Sequence, residues 1–183
     1  MNDWRLTPQN AALVVVDVQE KLMAAMPRRA ETLAACVRLT TAARQLGLPI
    51  VLTAQYPKGL GAICPAITDA APGVAFIEKL AFSCCGADAF TRTFRQLLRK
   101  RILIAGVETH VCVQQTVIDL LALDCVPYVC ADAVCSRRDL DRDVALARLR
   151  DCGAVITTVE SAVFEILKTA GTEPFKAALP LFK

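Results

Sequence analysis

Short runs of β-branched and apolar residues alternate with longer segments of helical period along nearly the whole chain. That alternation restricts it to an α/β architecture built on a parallel sheet. The strand-like runs fall at residues 12–17, 50–54, 75–79, 102–106, 127–131 and 154–157, and the helix-period segments at 29–46, 87–100, 110–123 and 140–151. The punctuation agrees, because Gly47 and Gly153 follow two of the helical segments and Pro49 opens a strand. The tail, 160–183, carries Phe164, Leu167, Phe175, Leu179 and Phe182 around Gly171 and Pro174, and reads as two short amphipathic helices that cover the sheet or a neighbouring subunit. With right-handed crossovers the natural topology is doubly wound and Rossmann-like. It has six parallel strands in the order 3-2-1-4-5-6, helices on both faces, and one domain over residues 1–183.

Hydrophobic residues make up 55% of the chain and aromatics 5%. This balance suits a sheet buried on both faces and leaves apolar surface for subunit contacts, so a homo-oligomer, dimer or higher, is expected. Charged residues interrupt every apolar run before membrane-spanning length, which argues against a membrane partner. Residues 1–10 include Asp3, Arg5 and Pro8 and do not resemble a secretory signal, which points to the cytoplasm. The net charge is +3, and the basic clusters at 28–29, 99–101 and 137–138 are short and lack interleaved aromatics, so nucleic acid is not an expected partner. The nine cysteines are odd in number, and Cys36, Cys125, Cys130 and Cys152 lie in apolar runs and read as small buried hydrophobes. With Cys84 and Cys85 vicinal, Cys130 and Cys135 isolated and a single histidine, the ligand inventory argues against structural zinc.

Ligands of doubly wound sheets bind beyond the carboxyl ends of the strands. Asp17 ends the first strand-like run, Lys79 the third, and Cys112 follows the fourth, so three chemically able groups converge on one edge. Taken singly, each has a plainer reading. Asp17 suits a loop or helix cap, Lys79 a solvated ion pair with Glu78 or Asp17, and Cys112 a buried apolar cysteine. Cys112 also sits where a strand passes through Gly106 into a helix. There, unpaired amides and the helix dipole are expected to lower its pKa from the free value of roughly 8.5. His110 stands two residues before Cys112, a spacing that points the two side chains apart and disfavours a Cys–His dyad. Ile118, six residues after Cys112, excludes the Cys-x5-Arg loop of cysteine phosphatases. Gly59-Leu60-Gly61 lacks the third glycine and helix start of a dinucleotide turn, so no nicotinamide cofactor is expected.

Three motifs in order carry a resemblance. They are a strand ending in Asp17-x-Gln19, a Glu78-Lys79 pair with Phe82-Ser83 close behind, and Gly-Val-Glu-Thr-His-Val-Cys-Val at 106–113. Together with Gln55-Tyr56-Pro57, the 59–61 turn, Phe164-Glu165 and Phe175-Lys176, they resemble the isochorismatase-like hydrolases over nearly the whole chain, above all the small isochorismatase-domain proteins of unassigned substrate. The resemblance implies a catalytic triad of Asp17, Lys79 and Cys112. Asp17 would move the thiol proton to a leaving amine, Lys79 would hold that carboxylate ionised and favour the thiolate, and Cys112 would form a covalent intermediate with a carbonyl or nitrile-like carbon. It also implies a cis, non-proline peptide between Val107 and Glu108, with the backbone amides of Glu108 and Cys112 forming an oxyanion hole.

Two departures narrow the expectation. Nicotinamidase-type members bind zinc through an aspartate and two histidines after the second strand, where this chain has no histidine, so no catalytic metal is expected. Members acting on the vinyl ether of isochorismate tend to lack the cysteine that this chain has. The leading expectation is a metal-independent cysteine hydrolase of a small amide, carbamoyl or related C–N compound, needing no cofactor, with a pocket lined by Gln19, Gln55, Tyr56, Phe82 and His110 and with Glu108 beside it. The rival readings are isochorismate-type vinyl ether hydrolysis and a non-catalytic assembly or binding protein with Cys112 as a redox-sensitive thiol.

Overall fold

The computed structural model describes residues 5–183; residues 1–4, the start of the stretch compared above with a secretory signal, lie outside the described residues. Its sheet is built from β1 (Ala11–Val16), β2 (Ile50–Gln55), β3 (Phe76–Lys79), β4 (Arg101–Val107), β5 (Val126–Cys135) and β6 (Val155–Thr157). All neighbours pair in parallel, in the order β3-β2-β1-β4-β5-β6, the doubly wound order expected from the sequence. The connections run through α1 (Glu20–Ala24), α2 (Arg29–Gln45), α3 (Pro57–Leu60), α4 (Pro65–Ala70), α5 (Asp88–Leu97), α6 (Gln114–Ala122), α7 (Asp139–Asp151), α8 (Val159–Leu167) and α9 (Glu173–Ala178).

The continuous apolar run of β1 has a direct physical cause. Successive side chains of a strand point to opposite faces. Ala11, Leu13 and Val15 accordingly enter the core shared with α2, α8 and α9, while Ala12, Val14 and Val16 enter the core shared with α5, α6 and α7. A strand covered on both faces has no reason to alternate apolar with polar residues. The apolar tail packs on the first of these faces. Phe164 of α8 meets Phe175 and Phe182 edge-on, and the Leu6 amide donates to Glu165 Oε1 at 2.7 Å.

Several local expectations change. β5 runs on to Cys135 because its pairing with β4 shifts register after Ile104. The residues facing the first core change from Tyr128 and Cys130 to Ala133 and Cys135, and an alternation-based reading stops at that break. The expected helix over 110–123 opens instead with one π-helical turn, Thr109–Val113, before α6. The helix expected over 87–100 ends at Leu97, where Leu98 takes a left-handed conformation with φ 51°. Cys36, Cys125 and Cys130 are buried as expected, but Cys152 is exposed because it caps the solvent end of α7.

The site-bearing edge depends on one glycine. Gly106 has φ +114°, and a Cβ there would stand 1.9 Å from the Val16 carbonyl oxygen. Only a residue without a side chain lets the end of β4 lie this close to the end of β1, which brings the segments carrying Cys112 and Asp17 together.

Candidate active site

Asp17 leaves β1 in a left-handed conformation, φ 52°, which a short polar residue tolerates better than a branched one. Its carboxylate is completely buried. Oδ1 accepts from Thr53 Oγ1 at 2.8 Å, and Oδ2 lies 2.6 Å from Lys79 Nζ, with both side chains of the ion pair 0% exposed. Lys79 ends β3 directly opposite Gln55 of β2 in the sheet register. Its ammonium also donates to Gln55 Oε1 at 2.6 Å and to the Phe82 carbonyl at 2.9 Å, with a longer contact to the Ala81 carbonyl at 3.3 Å. An ammonium has three protons, and the bonds to Gln55, Ala81 and Phe82 take all three, so Asp17 Oδ2 is held by its 2.6 Å ion-pair contact rather than by a directed hydrogen bond. Burial is the largest single influence and opposes the charge on Lys79, but the pull of Asp17 together with that of Cys84 and Cys112 outweighs it and holds the ammonium above its ordinary pKa.

Cys112 lies in the π-helical turn, is 5% exposed, and approaches Gln55 Oε1 at 3.9 Å. Here the sequence expectation of an acidified thiol fails. Burial and then the negative charge of Asp17 beside it push the Cys112 thiol up to about 12, and the opposing pull of Lys79 is too weak to reverse this. Lys79 is itself paired with Asp17, whose negative charge acts on the thiol more strongly than the ammonium does. The resting group is therefore a neutral thiol facing a carboxylate.

The other expected residues divide into two kinds. Gln19 is completely buried. Its Oε1 accepts from the Gln55 amide at 2.7 Å, and its Nε2 donates to the carbonyls of Gln55 at 3.1 Å and Gly61 at 2.7 Å, so no surface remains to offer a substrate. Gln55 spends its own amide on Lys79 and on the Leu80 carbonyl, 2.8 Å from its Nε2. Tyr56 and Phe82, in contrast, are exposed, and Tyr56 lines an open cavity of about 300 Å³ with Pro57, Lys58, Glu78, Lys79 and Leu80. His110 is half-buried with Nδ1 2.9 Å from Ser136 Oγ. The peptide bond Val107–Glu108 is cis, and the Glu108 carboxylate accepts from Arg137 Nε at 2.9 Å and from the Arg137 amide at 3.2 Å. Among the described residues, no three His, Cys, Asp or Glu side chains gather closely enough to hold a metal ion.

Three supporting residues escaped the sequence reading. Thr53 orients Asp17. Thr116 donates its hydroxyl to the Cys112 carbonyl at 2.7 Å and accepts from the Cys84 amide at 2.9 Å. The buried Cys84 thiol in turn approaches Thr53 Oγ1 at 3.7 Å and is itself pushed up to about 11, first by burial and then by Asp17. The only local signal was the four-residue spacing from Cys112 to Thr116, which lets a threonine hydroxyl reach a carbonyl one helical turn back. The arrangement can deprotonate a thiol in place and return that proton to a leaving group, with water nearly excluded.

Residues 11–161 match the isochorismatase domain family model. The secreted isochorismatase effector Isc1 of Phytophthora sojae is 37% identical over 183 residues, covering 98% of this chain and 87% of that protein. Among solved structures, the MAR1 ribonuclease of Caenorhabditis elegans superposes with a TM-score of 0.92 at 34% identity, covering 97% of this chain and 92% of the other. YcaC from Pseudomonas aeruginosa, solved with hexane-2,5-diol and covalent acrylamide, gives a TM-score of 0.91 at 26% identity, covering 99% and 93%.

Proposed function

The chain belongs to the isochorismatase family, and from that premise we propose that it is a metal-independent cysteine hydrolase of a small amide, carbamoyl or related C–N substrate, uncharged at its reacting end. One observation carries this reading: a buried Asp17–Lys79 ion pair, both side chains 0% exposed, flanks a nearly buried thiol at the carboxyl edge of a doubly wound sheet. A buried ion pair is costly unless well satisfied and is weak evidence for stability alone. Its place beside a nucleophile supplies a functional reason for it.

In the proposed cycle Asp17 takes the Cys112 proton as sulfur attacks the carbonyl carbon, and the carbonyl π electrons move to oxygen. The backbone amides of Glu108 and Cys112 receive that oxyanion. Collapse breaks the C–N bond, the protonated Asp17 gives its proton to the departing nitrogen, and a thioester remains. Water then attacks the thioester with Asp17 again taking a proton, and that proton returns to the departing Cys112 sulfur. Lys79 serves throughout as counter-ion to Asp17, because its three protons are committed and none is left for the substrate. For the same reason the buried site offers no free cation to a carboxylate on the reacting group, which disfavours isochorismate.

Tyr56, Phe76, Leu80 and Phe82 are exposed apolar side chains on and around the β3 edge, and we assign that face to contact with a second copy of the chain. The functional test is a panel of small neutral amides, carbamoyl compounds and nitriles run with the wild type and Cys112→Ala side by side. RNA is included because the C. elegans relative is named a ribonuclease. Turnover of a C–N compound that disappears in Cys112→Ala, with an acyl adduct on Cys112 by intact mass, supports the reading. Full turnover by Cys112→Ala overturns it.

A further inference from the structure

Gln55 stands where a substrate-binding side chain is expected, yet both ends of its amide already hold protein partners. The oxygen receives Lys79 Nζ at 2.6 Å and the nitrogen donates to the Leu80 carbonyl at 2.8 Å. This pattern fixes which end faces the ammonium, since an ammonium cannot accept a hydrogen bond and a carbonyl cannot donate one. The same oxygen is the near acceptor for the Cys112 thiol at 3.9 Å. Behind it, the buried Gln19 amide binds both the N–H and the C=O of the Gln55 backbone, and a further bond to the Gly61 carbonyl anchors it. Asp17 and Gln19 are two residues apart, so one turn of chain supplies both the proton acceptor and the clamp on Gln55.

We propose that Gln55, held by Gln19, is a positioning residue that aims the Lys79 ammonium at Asp17 and shares its own oxygen with the Cys112 thiol, and that it does not contact substrate. The inference rests on the cysteine hydrolase reading, but its central coupling, from Gln55 to the thiol, is measurable without turnover. A residue that touches substrate and one that aims the proton-transfer machinery affect different kinetic constants.

The test uses Gln55→Met, which keeps the length and removes the acceptor, and Gln55→Glu, which keeps an oxygen for Lys79 and adds a negative charge beside the thiol. The expected result for Gln55→Met is a fall in kcat of about tenfold or more with KM within about twofold. For Gln55→Glu, alkylation of Cys112 by the neutral reagent iodoacetamide at pH 8.5, followed peptide by peptide, should slow by about tenfold, because a like charge disfavours the thiolate. Alkylation of the exposed Cys152 in the same molecules serves as the internal control. A raised KM with kcat retained in Gln55→Met, or Cys112 alkylation unchanged in Gln55→Glu, each overturns the proposal. If Gln55→Met does not fold, Gln55→Glu still decides it. If Cys112→Ala retains turnover, the hydrolase reading falls while the alkylation result still judges the coupling.

Discussion

The two halves of the carboxyl edge of the sheet are built on opposite principles. On the side of β1, β2 and β3, the polar groups of Asp17, Gln19, Thr53, Gln55 and Lys79 are buried and spent on one another or on backbone. On the side of β4 and β5, the Glu108–Arg137 pair reaches solvent, with the Arg137 side chain 62% exposed, and the half-buried His110 pairs with Ser136. A closed network holds one geometry and tolerates no missing member, whereas an open rim can re-pair with whatever arrives. On the proposed hydrolase reading, the difference assigns the chemistry to the closed half and selectivity to the open one.

That contrast breaks outright if Cys112→Ala, at the junction of the two halves, keeps turnover. The expected loss is at least about 10³-fold in kcat/KM, measured on any substrate found in the panel. Next in size is Lys79→Met, which leaves a buried carboxylate without its counter-ion. It should cost about 3–5 kcal/mol in urea unfolding, and a loss under about 1 kcal/mol, the range of exposed pairs, would show the network to be less closed than described.

A third prediction concerns pH. The folded Cys36, Cys85 and Cys112 thiols are held up to about 12 and Cys84 to about 11, each chiefly by burial. The unfolded chain releases these protons near the ordinary value of 9.0. Between about 9 and 12 the unfolded state therefore binds fewer protons, and stability must fall as pH rises through that window and stay unaffected by these thiols below it. Thermal melts at pH 7 to 10.5 check the sign, and replacing Cys84 by Ala should flatten the slope. The smallest effect belongs to the open rim. Arg137→Ala should change stability by less than about 1 kcal/mol while shifting KM more than kcat, and an effect as large as that of Lys79→Met would erase the distinction between the halves.

The sheet order was legible because local pattern and global fold agree: the unbroken apolar run at 11–16 becomes the central strand, with side chains entering both cores. Asp17, Lys79 and Cys112 were legible as strand-end and post-strand residues on the side where doubly wound sheets bind ligands. What escaped depended on contacts between residues far apart in sequence. The Gln19–Gln55 clamp joins positions 36 apart, and no local pattern separates a glutamine committed to backbone from one facing a pocket. The state of the thiol was misjudged because a helix start was weighed without the burial and the adjacent carboxylate that dominate it. The break in β5 was invisible for a related reason, since a register shift is a relation between two strands.

The four residues of β3 occupy the outer edge of the sheet, with β2 as their only strand neighbour. A rim segment this short has little backbone pairing to keep it in place, yet it bears the ammonium that ties it to Asp17 and Gln55. The proposed chemical apparatus thus doubles as the rivet of its own scaffold. Gentle heating should detach this margin before the rest melts, so that amide exchange rises first around residues 76–79 and inactivation runs ahead of global unfolding.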